Sequence, residues 1–161
     1  LLDGSVGSTV KMKISVDIEI ESLKDNVWAA ITDIEHCAEM ISAIIDLKIL
    51  EQPEEGLVGL KWTETRKIFG KVSAETMWIT ECKEGEYYSA RAENHGAVYL
   101  STMAVSESND KTLLTMEFSG TADSPVMKMI SAVMGIMMKK SMIAMLQKDL
   151  EDIKAFVEKS E

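Results

Sequence analysis

Between residues 43 and 120 the chain reverses direction five times at similar spacing, and after Ser124-Pro125 it runs to its end without another proline. The reversals are Pro53-Glu54-Glu55-Gly56, Gly70, Lys83-Glu84-Gly85, Gly96 and Ser108-Asn109-Asp110. Glycine, proline, asparagine and aspartate at such points favour tight turns. The segments between them are short and strand-like: Ile45, Leu47 and Ile49 alternate, followed by 60–69, 72–81, 87–94, 98–105 and 113–119. The spacing predicts a six-stranded antiparallel meander.

An earlier strand precedes it. Met12, Ile14, Val16, Ile18 and Ile20 alternate with Lys13, Ser15, Asp17, Glu19 and Glu21, a period-two pattern with one dry and one wet face. Ser22, with Asp25 three residues on, reads as a helix cap, and Val27, Trp28, Ile31 and Ile34 follow at helical spacing. Asp33 is placed to cap a second short helix holding His36, Cys37 and Met40.

Ser124 and Pro125 have the residue types of an N-cap and a first helical position, and they predict a helix from 125 to about 158. On a wheel of ~100° per residue, Val126, Met127, Ile130, Val133, Met134, Met137 and Met138 form one apolar face. Ile143, Leu146, Leu150, Ile153 and Val157 form another, roughly opposite. Helical drift of about 20° per heptad does not produce that switch. Either the helix kinks or breaks between Gly135 and Ser141, or it runs straight and its halves pack on different things. The first half is rich in methionine, whose flexible thioether suits apolar surfaces of variable shape. It reads as a ligand wall, as plain core or as a dimer patch.

Composition narrows the function classes. The chain has 161 residues, 46% of them hydrophobic, which suits one domain with a sizeable core. A formal net charge of −10 makes a poor general ligand for nucleic-acid backbones. No apolar run approaches the ~18 residues that span a bilayer. Two isolated cysteines, Cys37 and Cys82, make no disulfide framework and favour a reducing cytoplasm. Two His and two Cys with no metal spacing predict neither a metal site nor a cofactor, and adjacent His36-Cys37 point in different directions on one helix. Glycine-rich phosphate loops and nucleophile elbows are absent from the sequence.

The order of strand, two short helices, six-stranded meander and long C-terminal helix resembles the helix-grip fold of the START-like (SRPBCC) superfamily. That group includes the polyketide cyclase/dehydrase and lipid-transport families and the birch-pollen-allergen-like proteins. The local carriers are Ile18-Glu19-Ile20, Val27-Trp28-Ala29-Ala30-Ile31-Thr32-Asp33, Lys67-Ile68-Phe69-Gly70, and Lys148-Asp149-Leu150-Glu151-Asp152-Ile153-Lys154. The resemblance implies an α+β domain over 10–161, a curved sheet of about seven strands round the last helix, and an apolar tunnel between them. Residues 1–9 are set apart as a tag or disordered end.

Strand phase then nominates side chains. Leu60, Trp62, Glu64, Arg66 and Ile68 share a face whose apolar members point it inward. Glu64 and Arg66 read either as a polar anchor for a ligand head group, or as an ion pair at the tunnel rim or wet charges. Tyr88, Ala90, Ala92 and Asn94 form the inward set of the fifth strand, where small alanines leave room. Tyr99, Ser101 and Met103, beside Met116 and Phe118, complete the interior, with Tyr99 as a hydrogen-bond donor or an edge tyrosine. Ile130, Met134, Met137 and Met138 are expected to wall it from the helix. The phase of Trp78 stays open between apolar neighbours, and His95 falls at a turn.

Three functions fit. The first is carriage of a lipid-like or polycyclic molecule, lined by the residues just named and oriented by Glu64, Arg66 and Asn94. The second is a polyketide cyclase or dehydratase using Tyr99, Glu64 and Arg66 in the same tunnel. The third is a protein-interaction module or homodimer docking through the Met-rich helix face.

Overall fold

The computed structural model describes residues 10–68, 70–94, 96–122 and 125–160, and for residues 10, 11, 122, 125–136 and 138 the backbone alone. Residues 1–9, His95 and the Ser124 cap lie outside the described residues. The elements are β1 (Val10–Ile20), α1 (Lys24–Thr32), a 3-10 turn (Ile34–His36), α2 (Cys37–Met40), β2 (Ile44–Glu51), β3 (Lys61–Ile68), β4 (Lys71–Lys83), β5 (Tyr87–Asn94), β6 (Ala97–Ser108), β7 (Lys111–Ala122) and α3 (Pro125–Lys159). They form one curved antiparallel sheet in the order β1-β7-β6-β5-β4-β3-β2. Every consecutive pair from β2 to β7 is a neighbour, as a meander requires, and β1 closes onto β7.

The turns follow their residues. Ser108 pairs with Lys111 across a two-residue reversal in which Asn109 and Asp110 take φ of 47° and 67°. Asparagine and aspartate tolerate that left-handed region better than other side chains. Gly59, at φ 95°, ends the long β2–β3 connection and donates its N–H to the Ile79 carbonyl at 2.9 Å.

Three sequence expectations change. The cap of α1 is Leu23 rather than Ser22. Ser22 is held in the turn after β1: its N–H donates to the Ile20 carbonyl at 2.9 Å, and its own carbonyl accepts from the buried Thr112 hydroxyl at 2.7 Å. In β2 a bulge between Ile44 and Asp46 breaks the alternation, so Ile44 is buried and Ile45 is 55% exposed. In α3 the helix is unbroken over 35 residues, which removes a break between Gly135 and Ser141.

The described half of α3 presents Leu146, Leu150, Ile153 and Val157, all nearly fully buried, to a core with Ile14, Val16 and Ile20 of β1 and Val27 and Ile31 of α1. Ile143, expected on that stripe, is 37% exposed. Polar bonds stitch the helix at both ends of this contact. Glu158 accepts the Glu21 N–H at 2.9 Å, and Lys154 donates to the Glu19 carbonyl at 2.8 Å. Asp152 accepts from both the N–H and the hydroxyl of Ser42, at 2.9 and 2.6 Å. Burial pushes the Asp152 carboxyl up, but these bonds and Lys148 outweigh it and hold the group below its ordinary value.

Candidate functional site

Strand registers define the concave face. Trp62, Glu64 and Arg66 of β3 stand opposite Met77, Glu75 and Ser73 of β4. Met77 and Ile79 stand opposite Ala92 and Ala90 of β5, and these opposite Tyr99 and Ser101 of β6. Ser101 and Met103 then face Phe118 and Met116 of β7. Buried members of each strand (Trp62, Ile79, Ala90, Met103, Leu114) mark this phase as the inward one. Trp78 therefore faces outward, where the Lys61 ammonium lies 5.9 Å from its ring centroid.

The face has two regions. At one end Ile79, Tyr88, Met103, Val105 and Leu114 are fully packed. Toward the other, Glu75, Met77, Tyr99, Ser101, Met116 and Phe118 point inward yet stay partly exposed. Tyr99 stacks on Phe118 with centroids 5.8 Å apart and planes at 21°. It does so over Gly120, its partner in β7, where an added Cβ would stand 3.2 Å from the tyrosine ring. Burial, then Glu75, pushes the Tyr99 phenol up.

At the border between the two regions lies a buried charge cluster. Arg66 donates through Nε to Glu64 Oε1, and its Nη1 donates to Asp149 Oδ2 of α3 at 2.8 Å. Trp62 Nε1 donates to the second Glu64 oxygen at 3.4 Å. The side chains of Arg66, Glu64 and Asp149 are 16%, 9% and 2% exposed. Burial alone would lower the Arg66 guanidinium, but the two carboxylates outweigh it and hold it above its ordinary value. Burial lifts Asp149, against the pull of Arg66. Glu75 is lifted by burial and by Glu64 across the strand pair. The Cys37 thiol beneath, pushed up to about 12 by burial and then by Glu64, stays protonated and unreactive near neutrality. His36 points away and binds Asp33 through Nδ1 at 2.8 Å.

The sequence matches the family of polyketide cyclase/dehydrase and lipid transport over residues 11–158. The chain belongs to this family. No curated protein sequence matches it. The fold of this family member is shared by solved structures of low identity. A START superfamily protein from Mycobacterium smegmatis has a TM-score of 0.77 at 16% identity, covering 92% of this chain and 99% of that one. The Zhui aromatase/cyclase from Streptomyces sp. R1128 has a TM-score of 0.72 at 12% identity, covering 93% and 95%. Norcoclaurine synthase from Thalictrum flavum, in complex with dopamine and hydroxybenzaldehyde, has a TM-score of 0.71 at 15% identity, covering 100% and 95%.

The family member's fold brings Trp62, Glu64, Arg66, Tyr99, Met103, Met116 and Phe118 to one concave face. Glu64 and Arg66 are a buried pair rather than wet charges. Asn94 keeps the inward phase but is exposed at the last residue of β5. Met137 is 79% exposed, so it stands on the solvent side and not on a wall. The reason is helical phase: nine residues before Leu146, at ~100° each, an unbroken helix turns it half a revolution away. The side chains of Ile130, Met134 and Met138 lie outside those described. Sequence pattern does not nominate Asp149 and Glu75. Asp149 still carries a signal, since it sits three residues after Leu146 and four before Ile153, inside the apolar stripe.

Proposed function

We propose that this protein binds and carries a small, mostly apolar molecule on the concave face between the sheet and α3, in the cytoplasm. One observation carries the reading: Met77, Tyr99, Met116 and Phe118 face inward and are still partly exposed, beside the small Ala90, Ala92 and Ser101. Apolar side chains turned toward a core and left partly exposed favour an apolar occupant, at ~25 cal/mol per Å² buried before binding costs. Among the described residues no helix is long and apolar enough to cross a membrane, and no three His, Cys, Asp or Glu side chains are grouped as metal ligands would be.

Native mass spectrometry of the purified protein, followed by organic extraction, tests this directly. The expected result is a near-stoichiometric lipid-like or polycyclic compound, or uptake of one from a panel of such compounds. A protein that arrives empty and takes up none of the panel overturns the reading.

A cyclase or dehydratase role in the same space has one supporting observation. Glu75 is a half-buried carboxyl, lifted toward the range of a general acid or base, and it faces the region of Tyr99. Glu64 is less suited to moving a proton, because Arg66 and Trp62 hold both of its oxygens. If the protein is an enzyme, Glu75→Gln lowers turnover by about 10²-fold or more while ligand binding survives. Unchanged turnover in that variant removes the role.

A further inference from the structure

The charge cluster is unbalanced. Among the described residues, Glu64, Glu75 and Asp149 are three carboxyl groups beside one guanidinium, and that guanidinium is already engaged by two of them. Glu75 stands directly opposite Glu64 on the same face of the β3–β4 pair, an arrangement of like charges that is unfavourable when both are ionised. Asp149, 2% exposed, gives one oxygen to Arg66, while its other oxygen is buried without a hydrogen-bond partner. A buried acceptor left unmatched is costly. In the same strand phase as Glu75, the nearest lysine is Lys71, four residues along β4 at its exposed start, about 13 Å away at 3.3 Å per residue.

Resting on the carriage reading above, we infer that the polar end of the ligand is a hydrogen-bond donor, an amine or a hydroxyl, and that ligands headed by a carboxylate are refused. A donor group placed at the partly exposed Glu75 supplies the missing hydrogen or charge beside Glu64. A carboxylate placed there adds a fourth acid to a site whose one cation among the described residues is spent. The apolar body of the ligand then lies along Met77, Tyr99 and Phe118.

Three probes with one tail and different heads separate the outcomes: dodecylamine, dodecanol and dodecanoate, below their micelle concentrations. Each competes with the neutral dye N-phenyl-1-naphthylamine at pH 7.5. Dodecylamine and dodecanol are expected to bind at least about tenfold more tightly than dodecanoate, from the like-charge penalty at a partly desolvated site. Glu75→Gln narrows that gap to about threefold or less on the same argument. Glu54→Gln, an exposed carboxylate on the β2–β3 loop, controls for the net surface charge and leaves the gap as it was. Equal or tighter binding of dodecanoate overturns the inference while carriage stands. A gap that responds equally to both variants is surface attraction and also overturns it. Failure of all three probes and the dye to bind overturns the carriage reading itself.

Discussion

Arg66→Met destabilises this protein by about 3–5 kcal/mol, the cost of leaving buried carboxylates without their cation. Arg66 bonds both Glu64 and Asp149, so one substitution strands two acids, one from the sheet and one from the helix. The deficit depends on pH, and its sign follows from the groups. Without Arg66 the folded-state affinity of Asp149 for a proton rises further above its unfolded value of 3.8. A carboxyl raised in this way is tolerated below the unfolded value and costs stability as pH climbs through the folded one. The variant is therefore closest to the parent near the acid end of the folded range and weakest at neutral pH. Urea unfolding at several pH values measures this. The triple variant Glu64→Leu, Arg66→Met, Asp149→Leu recovers most of the loss, because buried ion groups replaced together by apolar ones cost little. A single-variant loss under about 1 kcal/mol at neutral pH would mean that water reaches the cluster freely.

Ser101→Trp abolishes ligand binding, by at least about 100-fold, and leaves stability within about 1 kcal/mol of the parent. Ser101 lies midway across the concave face, between Ala90 of β5 and Phe118 of β7. An indole there occupies the volume that a ligand would fill. If that volume is open, the new side chain finds apolar surface and strains nothing. If it is already packed, the insertion forces neighbours off their rotamers and costs about 1–3 kcal/mol. Dye displacement and a urea titration on the same sample therefore decide between a binding space and a filled core. Lost stability with no prior binding would count against carriage.

Most of the architecture was legible in the residues. Turn chemistry at Pro53–Gly56, Gly70, Gly85, Gly96 and Asn109-Asp110 marks real reversals, and the inward phases of β3 and β5 follow from alternation alone. Alternation failed at Ile45 because a bulge inserts one residue, and the period cannot announce it. Capping chemistry failed at Ser22 because Ile20 and Thr112, the latter distant in sequence, hold its backbone in the turn after β1, while its hydroxyl accepts from the Asn26 side chain. Trp78 gave no phase, having apolar neighbours on both sides, and its register with Lys61 places it outside.

The candidate site divides the same way. Glu64 and Arg66 carry enough signal to be nominated, because two charges on an apolar strand face need a partner. Whether that partner is a ligand or a third residue depends on α3, which contributes Asp149 from 83 positions away. The switch of apolar face along α3 was legible, but its meaning was not. An unbroken helix turns Met137 to solvent and Leu146 to the core. By itself the sequence determined the elements, their order and the faces of most strands, since these rest on local periodicity and turn chemistry. The tertiary structure alone decided which charges meet, that two carboxylates hold one guanidinium while a third carboxyl stands opposite, and which inward apolar side chains stay partly exposed. Those are sums over distant parts of the chain, and no local pattern contains them.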